Sequence, residues 1–283
     1  MPEFATKKPI DLAIDLQVGS IEVVATERVD TLVTIAPTNA SKAVDRKGAE
    51  NTKVDFDGRR LTVIGPKPRI SFFGPTESVE VKVELPQGSR LSAEIAAGSL
   101  RTVGDLGAVR VKSSTGPVEL DTTGDLWVRA GHGNATVDTV LGNLDITADH
   151  GQIRVGTVVG DAMLKASHGS IMVRESGTDL EAKLSYGDLD VEKSLGVVTA
   201  KTAYGSITLR EVSSGAIQVE SGYGQITVGV QRGVPAWLDL SSKDGHVRNE
   251  LMPEGAPDET EESVTIRART RYGDIAIRHA QHS

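Results

Sequence analysis

His150-Gly151-Gln152-Ile153-Arg154-Val155, His168-Gly169-Ser170-Ile171-Met172-Val173, Tyr186-Gly187-Asp188-Leu189-Asp190-Val191 and Tyr204-Gly205-Ser206-Ile207-Thr208-Leu209 are four copies of one pattern, eighteen residues apart. In each, a ring precedes glycine, one residue intervenes, and two apolar residues flank a third position. Alternation at period two is the mark of a half-buried strand. A glycine at fixed phase supplies a corner where the backbone turns or approaches its neighbour closely.

The pattern extends in both directions. Sixteen of the twenty-one glycines from Gly98 to Gly233 form a series spaced by nine residues in eleven of fifteen intervals, and by eight or ten in the others. Residues two and four places after the glycine are both apolar in thirteen of the sixteen cases. A nine-residue strand and corner cannot bury its apolar face alone, so copies must stack. The ring column His132, His150, His168, Tyr186, Tyr204, Tyr223 marks every second glycine. The structural unit is therefore about eighteen residues with two strands. The pair of intervals around Gly177 still sums to eighteen, with Leu180 and Ala182 taking the inward slots one place late, which reads as a local bulge.

Like residues at like phase fit a parallel β-solenoid, where each coil lies over the last at roughly 4.8 Å. An antiparallel meander gives no reason for a ring column. Tight hairpins also favour Asn-Gly and Asp-Gly, and the chain holds only Asp57-Gly58 and Asp244-Gly245 of these pairs. The expected fold is all-β: a parallel β-solenoid (β-helix) of ~18-residue coils, with a less regular N-terminal β region. Residues 1–97 form that region and a cap continuous with the solenoid. Residues 98–283 form the regular solenoid, with an acidic insertion at 250–263.

The N-terminal region is expected to hold strands at Ile10–Leu16, Ile21–Ala25 and Thr31–Ile35, then a polar loop over residues 37–53. Lys53–Asp57 and Leu61–Ile64 flank Asp57-Gly58 as a hairpin or coil corner, and Val79–Leu85 is a strand. Phe72 and Phe73 sit in a proline-bounded stretch. They read as a plug over the open core or, alternatively, as a partner-binding patch. After Gly233 the copies become irregular. Asp244-Gly245-His246-Val247 and Tyr272-Gly273-Asp274-Ile275 continue the column.

With 283 residues, 4% aromatics and 30 glycines, the chain suits a slim aliphatic core. No cysteine is present, which removes disulfide and thiolate chemistry. A net charge of −8 disfavours nucleic acid and anionic membranes as partners. Met1–Pro9 carries no apolar core of an export signal and no apolar run approaches a membrane span, so the expected compartment is the cytoplasm.

No nucleophile–base pair or phosphate loop emerges. The imidazoles of His132, His150 and His168 are metal candidates, but the column continues as tyrosine, a poor ligand and an equally good stacking ring. Asp125, Asn143, Asp161 and Asp179 mark the alternate corners, where Asx residues close local turns. Outward acids (Glu119, Asp145, Asp190 and Glu192) are scattered over different coils. Trp127, outward by phase, is a candidate sugar platform or a cover for apolar surface. No cofactor is expected.

Several motifs carry a resemblance. They are Gly19-Ser20-Ile21-Glu22-Val23, Val83–Ser89 (Val-Glu-Leu-Pro-Gln-Gly-Ser), Ser113–Val118 (Ser-Ser-Thr-Gly-Pro-Val), and the serial Gly-Asp-Leu and Tyr-Gly-Ser-Ile units. In this arrangement the chain resembles the bacterial "putative adhesin" β-strand-repeat family of actinobacterial type, domain of unknown function 4097. The resemblance implies a β-solenoid without known catalytic residues. The functional expectation is a non-enzymatic scaffold or interaction protein of unknown protein partner, with homo-oligomerisation through solenoid ends as a specific form. The alternative is a carbohydrate-binding or carbohydrate-active β-helix.

Overall fold

The computed structural model describes residues 2–66, 77–251 and 263–281. By internal packing the chain divides into Met1–Asp138 and Thr139–Ser283.

The first unit holds β1 (Glu3–Ala5), β2 (Asp11–Thr26), β3 (Asp30–Pro37), α1 (Ala43–Asn51), β4 (Lys53–Phe56), β5 (Arg60–Ile64), β6 (Val79–Pro86), β7 (Arg90–Val103), β8 (Val109–Thr115), β9 (Val118–Thr123) and β10 (Leu126–His132). β11 (Ala135–Val140) runs across the division. β2 and β7 are each a whole coil, bent at Gly19 and Gly98 without losing their mutual pairing. Two expected strands, Ile10–Leu16 and Ile21–Ala25, are thus one. A φ of +142° at Gly19 turns the corner inside a continuous ladder.

β5 and β6 follow β2 in the chain but pair with its edge opposite β7, in parallel, with Leu12 beside Leu61 and Val23 beside Val83. Antiparallel strands then cover them: β4 on β5, β3 on β6, and β1 on β3. Asp57-Gly58 is a hairpin turn between β4 and β5. Three-residue β1 gives too short a pattern to be read from sequence.

Residues 37–53 are not all loop, since Ala43–Asn51 is the helix α1, packed on β3 and β6. It lacks an apolar stripe. Instead, buried Asp45 accepts the backbone N–H of Asn39 and of Ser78, each at 3.2 Å. A helix held by a buried carboxylate gives hydrophobic periodicity nothing to detect.

The second unit begins with five coils: β12 (Leu144–His150) with β13 (Ile153–Val158), β14 (Ala162–His168) with β15 (Ile171–Ser176), β16 (Leu180–Tyr186) with β17 (Leu189–Ser194), β18 (Val198–Tyr204) with β19 (Ile207–Val212), and β20 (Gly215–Tyr223) with β21 (Ile226–Val230). Each strand pairs in parallel with the strand one coil on, so Ile146 lies beside Leu164 and Val173 beside Val191. Both rows turn their apolar residues inward. Ile153, Leu164, Ile171, Val191, Val198 and Leu209 are fully buried. Leu180 and Ala182 take inward slots, but the β14–β16 ladder is unbroken. The expected bulge is absent, because only the glycine is displaced: the corners at 159–161 and 177–179 are both three residues long, so the strand register is kept.

The last two coils exchange order. β22 (Ala236–Asp244) and β23 (Val247–Asn249) come first in the chain, followed by β24 (Val264–Tyr272) and β25 (Ile275–His279). In space β24 lies between β20 and β22, and β25 lies between β21 and β23. Val264, Ile266, Ala268, Ile275 and Ile277 are fully buried, while no residue of β22 or β23 is.

Candidate interaction surfaces

The corners that end β12, β14, β16, β18, β20 and β24 carry a ladder of rings. His150, His168, Tyr186, Tyr204, Tyr223 and Tyr272 stack in that order, with centroids 4.7–5.1 Å apart and planes within 9° of parallel. The tyrosines are nearly half exposed. His132 ends β10 in the first unit, in register with Thr115.

The glycine after each ring is required twice over. At Gly187 φ is +146°, and a Cβ would lie 2.1 Å from the carbonyl oxygen of Gly169 on the coil below. Hydroxyls pin these corners. Thr202, Ser221, Thr270 and Ser242 donate to the carbonyls of Gly187, Gly205, Gly224 and Gly273, at 3.3, 2.9, 3.1 and 2.9 Å. The residue after the glycine reaches the next coil. Asp188 Oδ1 accepts from Ser206 N at 2.7 Å, and Asp274 Oδ1 from His246 N at 2.9 Å. That bond, the larger cause, holds the Asp274 carboxyl below its ordinary pKa. For three of these pins the sequence signal was a hydroxyl two places before a tyrosine, and Ser242 holds the same phase before Asp244.

The histidine pair His150–His168 is stacked at 4.8 Å with planes 2° apart. Ring-nitrogen lone pairs lie in the ring plane, so stacked imidazoles aim them side by side and not at a shared ion 2.0–2.1 Å from each. Among the described residues no group of three or more His, Cys, Asp or Glu is arranged to hold a metal. At the alternate corners Asn143 Oδ1 accepts from Asp161 N at 3.1 Å, and Asp161 Oδ1 from Thr178 Oγ1 at 2.9 Å.

Of the outward acids, Asp190 and Glu192 share β17 and both act on Arg210. Asp190 is gripped by both arms of Arg210. Trp127 carries the Arg110 guanidinium 3.5 Å from its ring centroid and that of Arg129 at 4.7 Å. A sugar stacking on the face Arg110 covers would have to displace it. Phe72, Phe73 and most of the acidic insertion, residues 252–262, lie outside the described residues.

A surface that sequence reasoning missed is the outer edge of β22. Pro235 O accepts from Val264 N at 3.0 Å, so the odd residues from 235 turn their backbone groups to β24. By strand alternation Ala236, Leu238, Leu240 and Ser242 turn N–H and C=O away from it. Among the described residues β22 pairs with no other strand. Ala236, Leu238 and Leu240 are half-buried, whereas their register mates Val264, Ile266 and Ala268 are fully buried. Trp237 projects sideways from the same strand, 63% exposed.

Among solved structures the chain is similar to a "putative cell adhesion protein" from Clostridium sporogenes, at 13% identity over 97% of this chain and 94% of that one, with a TM-score of 0.22. It is also similar to a "putative adhesin" from Parabacteroides merdae, at 12% identity over 99% of this chain and 95% of that one, with a TM-score of 0.45. No curated protein matches. The family model described as Toastrack DUF4097 matches residues 11–278, and the chain belongs to that family.

Proposed function

We propose that this protein is a non-enzymatic β-solenoid scaffold that meets protein partners through the end coil β22–β23. The observation that carries the reading is the backbone edge of β22, unpaired among the described residues, beside half-buried Leu238 and Leu240. Such an edge is a template for strand addition.

The test is an assay of oligosaccharide binding and hydrolysis on the purified chain. No turnover is expected, and Trp127→Ala is expected to leave binding signals at background. Turnover that disappears in Asp190→Asn would overturn the reading in favour of a carbohydrate-active β-helix.

A further inference from the structure

We infer that the occupant of the β22 edge is a second copy of this chain, paired antiparallel through β22 about a two-fold axis at Leu240. The inference rests on the scaffold reading and deepens it by naming the partner.

The outer coil of the first unit is covered by β1, β3, β4 and α1, so its strands offer no bare parallel edge. β1 and β4 leave outer edges of only three and four residues, whereas β22 leaves nine, and among the described residues the edge that matches it in length and alternation is that of its own copy. Like on like is an isologous contact, which closes as a dimer and does not propagate as a filament.

Register follows from side chains. In antiparallel pairing, residues directly opposite share a face, so two copies of β22 pair even with even and odd with odd positions. A two-fold axis at Asp239 sets Asp239, which Arg267 and Arg269 hold at 3.1 and 2.9 Å, directly on its mate, two carboxylates at the closest approach of the strands. An axis at Leu240 removes that clash. It sets Leu240 on the partner's Leu240 and Leu238 opposite the partner's Ser242, which extends the half-open core across the junction. On the outer face it sets Trp237 opposite the partner's Lys243, a cation over an indole. Asp239 comes opposite the partner's Ser241, with the partner's Lys243 on the diagonal. Leu240 is also one of the residues whose N–H and C=O face outward, so the central pair forms two backbone hydrogen bonds.

The chain has no cysteine, which makes the test clean. Light scattering of the full chain over a dilution series is expected to give twice 29.9 kDa at high concentration. Leu240→Lys is expected to give the single mass with an unchanged far-ultraviolet spectrum. Leu240→Cys, on the axis, is expected to form a disulfide dimer under mild oxidation, because opposite Cα atoms in such a pair lie about 5.5 Å apart. Ser242→Cys, off the axis, is expected to stay largely uncrosslinked. A single mass at every concentration, with no Leu240→Cys crosslink, overturns the dimer. Crosslinking of Ser242→Cys as efficient as that of Leu240→Cys overturns the register and with it the proposal. Neither result bears on oligosaccharide turnover, which tests the scaffold reading on its own.

Discussion

The ring of Tyr272 stacks on that of Tyr223, centroids 4.7 Å apart and planes 8° from parallel, although a whole coil of chain lies between them. Tyr223 does not stack on the corner residue of the next coil in sequence, which is Asp244. Instead Asp244 lies beside Tyr272, one layer further out. The ring ladder thus marks the spatial order of the coils where chain order fails. Stacked aromatic pairs contribute roughly 0.5–1.5 kcal/mol beyond their burial. A double-mutant cycle of Tyr223→Ala and Tyr272→Ala should therefore show about 1 kcal/mol of coupling by urea unfolding. The pair Tyr223→Ala and Asp244→Ala should be additive.

Gly187 illustrates why the corners tolerate nothing larger. Its Cβ would meet the backbone carbonyl of Gly169, which cannot swing away without breaking the ladder, and its φ is positive. Gly187→Ala should cost about 3 kcal/mol, strain and overlap together. Gly58, also at positive φ but with open space around it, should tolerate alanine better, by about 1–2 kcal/mol. Thermal unfolding of the two variants compares them directly.

Leu238 and Ile266 are register mates with opposite surroundings. Ile266 is fully buried between two strands, and Leu238 is half-buried on the outermost one. Ile266→Ala should cost about 3 kcal/mol, within the range for buried aliphatic truncation. Leu238→Ala should cost about 1 kcal/mol in dilute protein. Removal of residues 250–283 should be far more damaging than removal of an end coil, because it takes out β24 and β25 from between their neighbours.

Asp57 closes the β4–β5 hairpin. Its Oδ1 accepts the N–H of Arg60 at 2.7 Å and of Arg59 at 2.9 Å, and the Arg60 bond is the larger cause of its lowered pKa. A carboxyl whose folded pKa lies below the unfolded one stabilises the fold above the unfolded value, and that contribution is lost as pH falls through the folded value. The stability gap between the wild type and Asp57→Ala should be full at pH 7 and narrow below about pH 4. Urea midpoints from pH 7 to pH 2 measure it.

Much of the fold is legible because one signal repeats. Ile153, Ile171, Leu189 and Ile207 share one phase, and the pattern needs only a counter to be found. What it cannot reveal is which strand neighbours which. Alternation states the face a residue takes, and both β22 and β24 alternate well enough to be any coil. Only the chemistry at one position, tyrosine at 272 against aspartate at 244, separates the inner coil from the outer. The open edge depends on that order, so Leu240 and Trp237 could not be picked out beforehand. Helix α1 escaped for a different reason: buried Asp45, not an apolar stripe, fixes it in place.

The most direct test of the coil order is the pattern of nuclear Overhauser contacts across the last three strands in solution. The register places Val219 beside Ala268 and Ala268 beside Leu240. The account predicts backbone contacts from Val219 to Ala268 and from Ala268 to Leu240, with none from Val219 to Leu240. Contacts from Val219 directly to Leu240 would contradict it, since they would put the coils in chain order and leave β24, not β22, at the open end.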